Sequence, residues 1–301
     1  MGVGAALATR ENIELVKKCS WAVGRPAIIQ KGMDWYAAHP ESREEVRVNL
    51  SHMGLPAAPA DVDETLRHIV IHYYEKLFAL VKRYEAVWIC RNRVEMGESL
   101  EVFREAARDR KSVFVAQSHF GATYLLGSVL MVNGFDIHMV GKFPPPVGPM
   151  LVENSAGMTR RYGTGAAHLI NIADPSVDVP MEMFRCLMTG QIISNVFDEN
   201  NEFSRPVTLL GRQLFGGSGM DLILRNFTDD RVVLVTPFLI RTGEETFRYE
   251  VDRHYFRDGN VVDSFYRSLA RRVQDHPEQW YFIHELAESF VDKRPAKTAN
   301  P

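Results

Sequence analysis

SVFVAQSHFGATY, residues 112–124, decides how this chain is read. Its first six residues, Ser112–Gln117, are mostly apolar and rich in β-formers, and they predict a buried strand. Ser118 and His119 come next, then Gly121, which lets the backbone turn tightly into a stretch, residues 121–132, that predicts a helix. A His just past a buried strand, at the mouth of a helix, is placed to take a proton from a hydroxyl or an amine near neutral pH. A capping or core His would leave the same trace in the sequence.

Outward from this stretch the texture differs on the two sides. Downstream, strands are predicted at residues 135–140, 168–172, 191–197, 231–240 and 246–251. Helices are predicted at 150–162, 179–189, 217–225, 260–275 and 278–288. Strands alternating with helices imply a mainly parallel central sheet flanked by helices, an α/β fold, with ligands at the carboxyl ends of the strands. That rule points to the residues just past Gln117 and to those just past Phe197, the polar cluster Asp198-Glu199-Asn200-Asn201. An ordinary turn would also explain that cluster. Upstream, residues 1–98 read as a helical region packed on a core at 99–301. Its helices are predicted at 11–30, 32–38 and 42–53 with Ser42 as cap, and, after a linker at 55–60, from an Asp61 cap to about residue 84.

Composition removes several function classes. The chain has 301 residues, 46% hydrophobic and 24% charged, and a formal charge of −3. A nucleic-acid partner usually demands a basic face, so none is expected. Cys19, Cys90 and Cys186 are scattered and odd in number, which fits neither a disulfide framework nor zinc spacing and implies a reducing, cytoplasmic compartment. No signal peptide and no spanning segment is expected. His68 and His72 share an i, i+4 face with no third ligand near in sequence, so they read as a helix-surface pair and no metal site is expected. FGGSG, residues 215–219, reads as a tight turn, the prolines at 144–146 as a stiff loop over the site, and residues 292–301 as a frayed tail.

Six segments then resemble, in order, the bacterial lipid A biosynthesis acyltransferases, the late lauroyl and myristoyl transferases. These are REEVRVNL at 43–50, SHFGATY at 118–124, KFPPPVGPMLVENSAGMTRRYG at 142–163, GQIISNVFDEN at 190–200, the segment 207–241, and DHPEQWYFIHE at 275–285. The resemblance implies a glycerol-phosphate acyltransferase-like fold and transfer of an acyl group from a coenzyme A or acyl-carrier-protein thioester to a hydroxyl or amine. The thioester would be a co-substrate, with no cofactor bound. His119 would be the general base, supported by Asp198. Ser118, Lys142, Arg160, Arg161, Glu199 and Arg241 would contact substrate, the arginines through phosphate.

The chain departs from that family in three ways. The family's acid, five residues after the His, is here Tyr124, and in a Ser-His-Asp triad neutralising the acid costs about 10⁴ in rate. Either another carboxylate substitutes, from among Asp198, Glu199, Asp136 and Glu153, or the reaction needs less help, with a more acidic nucleophile or a more reactive acyl donor, or the site no longer catalyses; Tyr124 then holds His119 through its hydroxyl or lines an altered pocket. Lys142 stands where an arginine is usual, which weakens a bidentate anion contact. The basic face and membrane helix of lipid A enzymes are missing, so the enzyme is expected to be at most loosely membrane-associated, which favours a small-molecule acceptor, with a lipid acceptor as what the resemblance implies. Competing readings are an acyl or acyl-carrier binding protein without catalysis, and a thioester hydrolase.

Overall fold

The computed structural model describes residues 2–291 apart from Pro144, Pro146 and Ser218. The expectations for the proline loop and the tail therefore fall wholly or partly outside the described residues. The N-terminal helices are α1 (Val3–Leu7), α2 (Arg10–Lys18), α3 (Trp21–Ala38), α4 (Pro40–His52), α5 (Pro59–Val81) and α6 (Arg83–Asn92). The short β1 (Val94–Glu95) and α7 (Glu101–Arg108) lead into the alternating part: β2 (Ser112–Gln117), α8 (Thr123–Val132), β3 (Ile137–Gly141), α9 (Val147–Tyr162), β4 (Ala167–Asn171), α10 (Val179–Met188) and β5 (Ile192–Val196). A hairpin, β6 (Arg205–Leu209) and β7 (Arg212–Gly216), precedes α11 (Met220–Leu224), β8 (Val232–Arg241), β9 (Phe247–His254) and α12 (Val261–Asp275). Two 3-10 segments, Pro277–Gln279 and Tyr281–Ser289, come last.

The main sheet has seven strands in the order β1-β9-β8-β2-β5-β3-β4. The five strands β8, β2, β5, β3 and β4 are mutually parallel, and β9 pairs antiparallel with β8. Strand β2 is central because its side chains are buried on both faces, as a parallel strand covered by helices requires. The α/β architecture with a mainly parallel sheet is thus as the sequence implies.

Several local expectations are corrected. The first 98 residues are not wholly helical, because β1 joins the sheet through β9. The helix expected at 11–30 is two helices, broken at Cys19 and Ser20. Neither Ser42 nor Asp61 is a cap: a proline starts each helix two residues earlier, where its missing N–H costs nothing. Asp61 lies in the first turn and accepts a hydrogen bond from the Ala58 N–H at 3.0 Å. The closing helix expected at 278–288 is 3-10 instead, since its backbone is drawn into bonds with the loop after β2. The β6–β7 hairpin, a separate two-stranded sheet, was not anticipated as such.

Helix α5 is apolar over most of its circumference, with Val62, Leu66, Ile69, Val70, Tyr74 and Phe78 all buried. It packs against α2, α3, α4 and α8 and against the 3-10 segments. His68 and His72 are therefore not a surface pair. His72 is 1% exposed, and the His68 side chain is mostly covered. Among the described residues no helix is long and apolar enough to cross a membrane.

Candidate active site

The turn after β2 is clamped from two sides. The 3-10 region supplies one side: Gly121 N–H donates to the Gln279 carbonyl at 2.9 Å, and Tyr281 N–H donates to the His119 carbonyl at 3.0 Å. Strand β8 supplies the other, where Ala122 N–H donates to the Leu239 carbonyl at 2.8 Å. Gly121 has φ +65°, and a Cβ there would lie 2.2 Å from the Leu239 oxygen, so only glycine fits. Gln117 reaches forward to donate to the Thr123 hydroxyl at 2.6 Å and accepts from Ser194 at 2.9 Å, tying β2, β5 and the start of α8 together.

Asp198 arrives from the neighbouring strand. Its backbone is held because the Phe197 N–H donates to the Gln117 carbonyl at 2.9 Å, and the Phe197 carbonyl accepts from Gly217 N–H and from the Tyr266 hydroxyl, both at 2.8 Å. Asp198 is buried and its carboxylate is fully engaged. One oxygen lies 3.0 Å from His119 Nδ1. The other accepts from the His119 backbone N–H at 2.9 Å and from the Trp280 indole N–H at 3.1 Å. An ionised carboxylate only accepts, so Nδ1 carries the imidazole proton and Nε2 presents its lone pair. Burial pulls the His119 pKa down. The charge and hydrogen bond of Asp198, then the charges of Glu199 and Glu285, more than offset it and hold the imidazole above its ordinary value. Asp198 is thus the carboxylate that holds the His119 imidazole.

Nε2 faces the rim. Glu199 Oε1 lies 3.5 Å from it, on a side chain 55% exposed. Burial raises the Glu199 pKa, and His119 and Lys142 oppose that rise. Lys142, exposed just past β3, is thus a neighbour of the site through its charge. Phe282 stacks on the His119 ring at 5.9 Å, and Tyr281 lies 5.7 Å away. The Tyr281 hydroxyl donates to the Tyr73 hydroxyl at 2.7 Å and also approaches Glu285. Burial pushes the Tyr73 phenol up to about 12.

Tyr124 does not hold His119, whose Nδ1 is already held by Asp198. Its ring sits 4.8 Å from His72 and beneath the Lys76 ammonium at 5.4 Å, and burial raises its pKa against the pull of Lys76. His72 stacks on Tyr281 at 3.6 Å and lies 6.1 Å from His119, with no hydrogen-bond partner at either ring nitrogen. Burial, then the His119 charge, holds the His72 pKa well below the ordinary value. Ser118, expected at the substrate, is 2% exposed with its Oγ likewise unbonded.

The arginines fall elsewhere. Arg241 is not a free anion contact: its guanidinium makes a buried bidentate pair with Glu75 at 2.8 and 2.6 Å and donates to the Gly121 carbonyl at 2.8 Å. It braces the turn that carries His119. Arg160 and Arg161 occupy the last turn of α9, whose 16 residues span about 24 Å from the end of β3 back towards the start of β4. That places them towards the opposite end of the sheet, where Arg161 lies over the Tyr84 ring at 4.8 Å. Asp136 accepts from the Ala166 N–H before β4, also at the far end, and Glu153 is exposed on α9.

Glu75, His72, Lys76, Gln279, Trp280 and Glu285 were not singled out as site residues from the sequence. Only Trp280 carried a signal, as the aromatic residue of the closing segment of the family resemblance. The others become neighbours of His119 through helix packing, which has no short-range signature. No group of three or more His, Cys, Asp or Glu among the described residues could hold a metal ion.

Fold and site together define a His–Asp dyad at the carboxyl edge of a mainly parallel α/β sheet. Compared with known proteins, the chain matches no family model and no curated protein.

Proposed function

We propose that the chain is an acyltransferase. It moves an acyl group from a coenzyme A or acyl-carrier-protein thioester to an amine or hydroxyl of a small-molecule or lipid acceptor, on a glycerol-phosphate acyltransferase-like fold. The observation that carries this reading is the 3.0 Å contact of His119 Nδ1 with buried Asp198, on a turn just past the central strand. Nε2 takes the acceptor's proton as the acceptor attacks the thioester carbonyl, and Asp198 stabilises the imidazolium that results. The proton then passes to the departing thiolate. Lys142 at the rim offers a charge for an anionic part of either substrate. The resemblance to lipid A acyltransferases supports the choice of acyl chemistry over other general-base chemistry. The reading as a non-catalytic binder rested on Tyr124, and with Asp198 on Nδ1 the imidazole keeps a carboxylate. The cytoplasmic setting suggested by the scattered cysteines belongs to this proposal.

The test is free-thiol release from a panel of acyl-coenzyme A and acyl-carrier-protein thioesters, with and without an acceptor. Acceptor-dependent release that drops by more than about 10²-fold in His119→Ala is the expected result. Release without acceptor, accompanied by free fatty acid, would instead make the chain a hydrolase. Unchanged release in His119→Ala would remove His119 from the chemistry.

A further inference from the structure

The proposed reaction leaves the acceptor open between a hydroxyl and an amine, and the charges around Nε2 separate the two. His119 is flanked by carboxylates on both ring nitrogens: Asp198 behind Nδ1 and Glu199 3.5 Å from Nε2. Glu285, on the Tyr281–Ser289 segment, contributes a third negative charge felt by His119. The Asp198 side chain is 1% exposed and fully bonded, whereas Glu199 and Glu285 are 55% and 53% exposed. A ligand at Nε2 therefore meets the Glu199 carboxylate at first hand, while Glu285, engaged by His284 at 3.3 Å and by Tyr281, adds its negative charge to the same region. Around them lie ring faces, Tyr281 and Phe282 against His119 and Tyr124 beyond His72. Buried among these rings, His72 has neither nitrogen bonded and stays neutral, so it adds an unpaired polar group to the site and no repelling charge. Lys142 acts on Glu199 and Lys76 on Tyr124.

A negative potential where the nucleophile must sit opposes an alkoxide forming from an alcohol. The same potential attracts an alkylammonium, and aromatic faces add to that attraction. Resting on the acyl-transfer reading, we propose that the acceptor is a primary amine, which enters as an ammonium ion and is held by Glu199 beside His119, with the charge of Glu285 adding to the attraction. An alkylamine is protonated at neutral pH, so two protons must leave its nitrogen. The first passes to Glu199 and from its half-exposed carboxylate to water. The free amine then attacks the thioester carbonyl. The C–N bond forms, the C–S bond breaks, and His119 takes the second N–H proton and delivers it to the thiolate. Thioester plus ammonium gives amide, thiol and one proton released to solvent. Ester formation from an alcohol releases none.

The experiment tracks thiol release and proton release together, with a medium-chain acyl-coenzyme A and either hexylamine or hexanol. Amine-dependent thiol release with one proton per thiol is expected, with little from hexanol. Glu199→Gln should raise the KM for hexylamine about tenfold, the scale of one lost charge-assisted contact, and Glu285→Gln should raise it by a smaller factor. Thermal melting of both variants identifies any loss of folded protein, and the exposure of both side chains makes such loss small. Equal turnover of hexanol, or an unchanged amine KM in Glu199→Gln, overturns the amine assignment and leaves acyl transfer standing. No acceptor-dependent thiol release with either compound overturns both.

Discussion

The two ends of the one sheet each present a pair of histidines, and they are chemically opposite. At the carboxyl edge, His119 is locked by Asp198, Trp280 and its own backbone, and its pKa lies above the ordinary value. Towards the amino edge, His138 and His168 face each other across β3 and β4 with rings stacked at 4.6 Å. They line a cavity of about 360 Å³ with Lys111, Asp136 and Gln191. Burial first, then the charges of His168 and Arg185, keep the His138 pKa below the ordinary value. The lesson is that a His near a cavity is not yet a base. A buried carboxylate on one ring nitrogen is what orients the other and stabilises the charged form.

The largest challenge to this contrast is Asp198→Asn. It keeps the shape but allows the wrong tautomer, and thiol release should fall by about 10³-fold or more. Because the carboxylate raises the His119 pKa, its loss should also move the acid limb of the rate profile to lower pH. Next in size is Glu75→Gln, which leaves Arg241 buried without its counter-charge beneath the His119 turn. Denaturant unfolding should show a loss of about 3 kcal/mol, and no loss would mean that the pair does not brace the turn.

The two imidazoles nearest the reaction predict opposite pH responses. A base works only when neutral, so kcat/KM should fall as pH drops through the raised His119 pKa, with a limb above pH ~6.5. In stability, the raised His119 pKa contributes below the unfolded value and loses that contribution as pH rises through the folded value. The depressed His72 pKa does the reverse: stability is full above the unfolded value and is lost as pH falls towards the folded one. His72→Phe should therefore lessen acid-side destabilisation, as read from melting temperatures between pH 7 and 5, conditions chosen about the ordinary His value. The smallest effect belongs to the other end of the sheet: His138→Gln and His168→Gln should alter thiol release by less than about twofold. A larger drop would tie the far cavity to catalysis and dissolve the contrast.

Much of the fold was legible because it is written in short-range patterns. The run Ser112–Gln117 reads as a buried strand, and the alternation after it implies a mainly parallel sheet, as observed. The edge of the sheet that carries the site came from that alone, and so did the two loops at His119 and Asp198. Errors came where tertiary contacts override local preference. Prolines moved the starts of α4 and α5, and the closing segment, which pairs antiparallel with Phe120 at Trp280, runs as 3-10 rather than α-helix.

Within the site, the sequence by itself singled out His119 and a shortlist of carboxylates, because strand, turn and residue chemistry are local. Only the tertiary structure decided among the carboxylates. Asp136 sits at the wrong end of its strand, Glu153 is on an outer helix, and Glu199 meets Nε2, which leaves Asp198 on Nδ1. Arg241 looked like an anion contact and is instead the buried partner of Glu75, 166 residues away in sequence. Such pairings depend on how helices from the first third of the chain settle on a sheet built later. No local spacing encodes that, since the contact is set by the packing of whole elements.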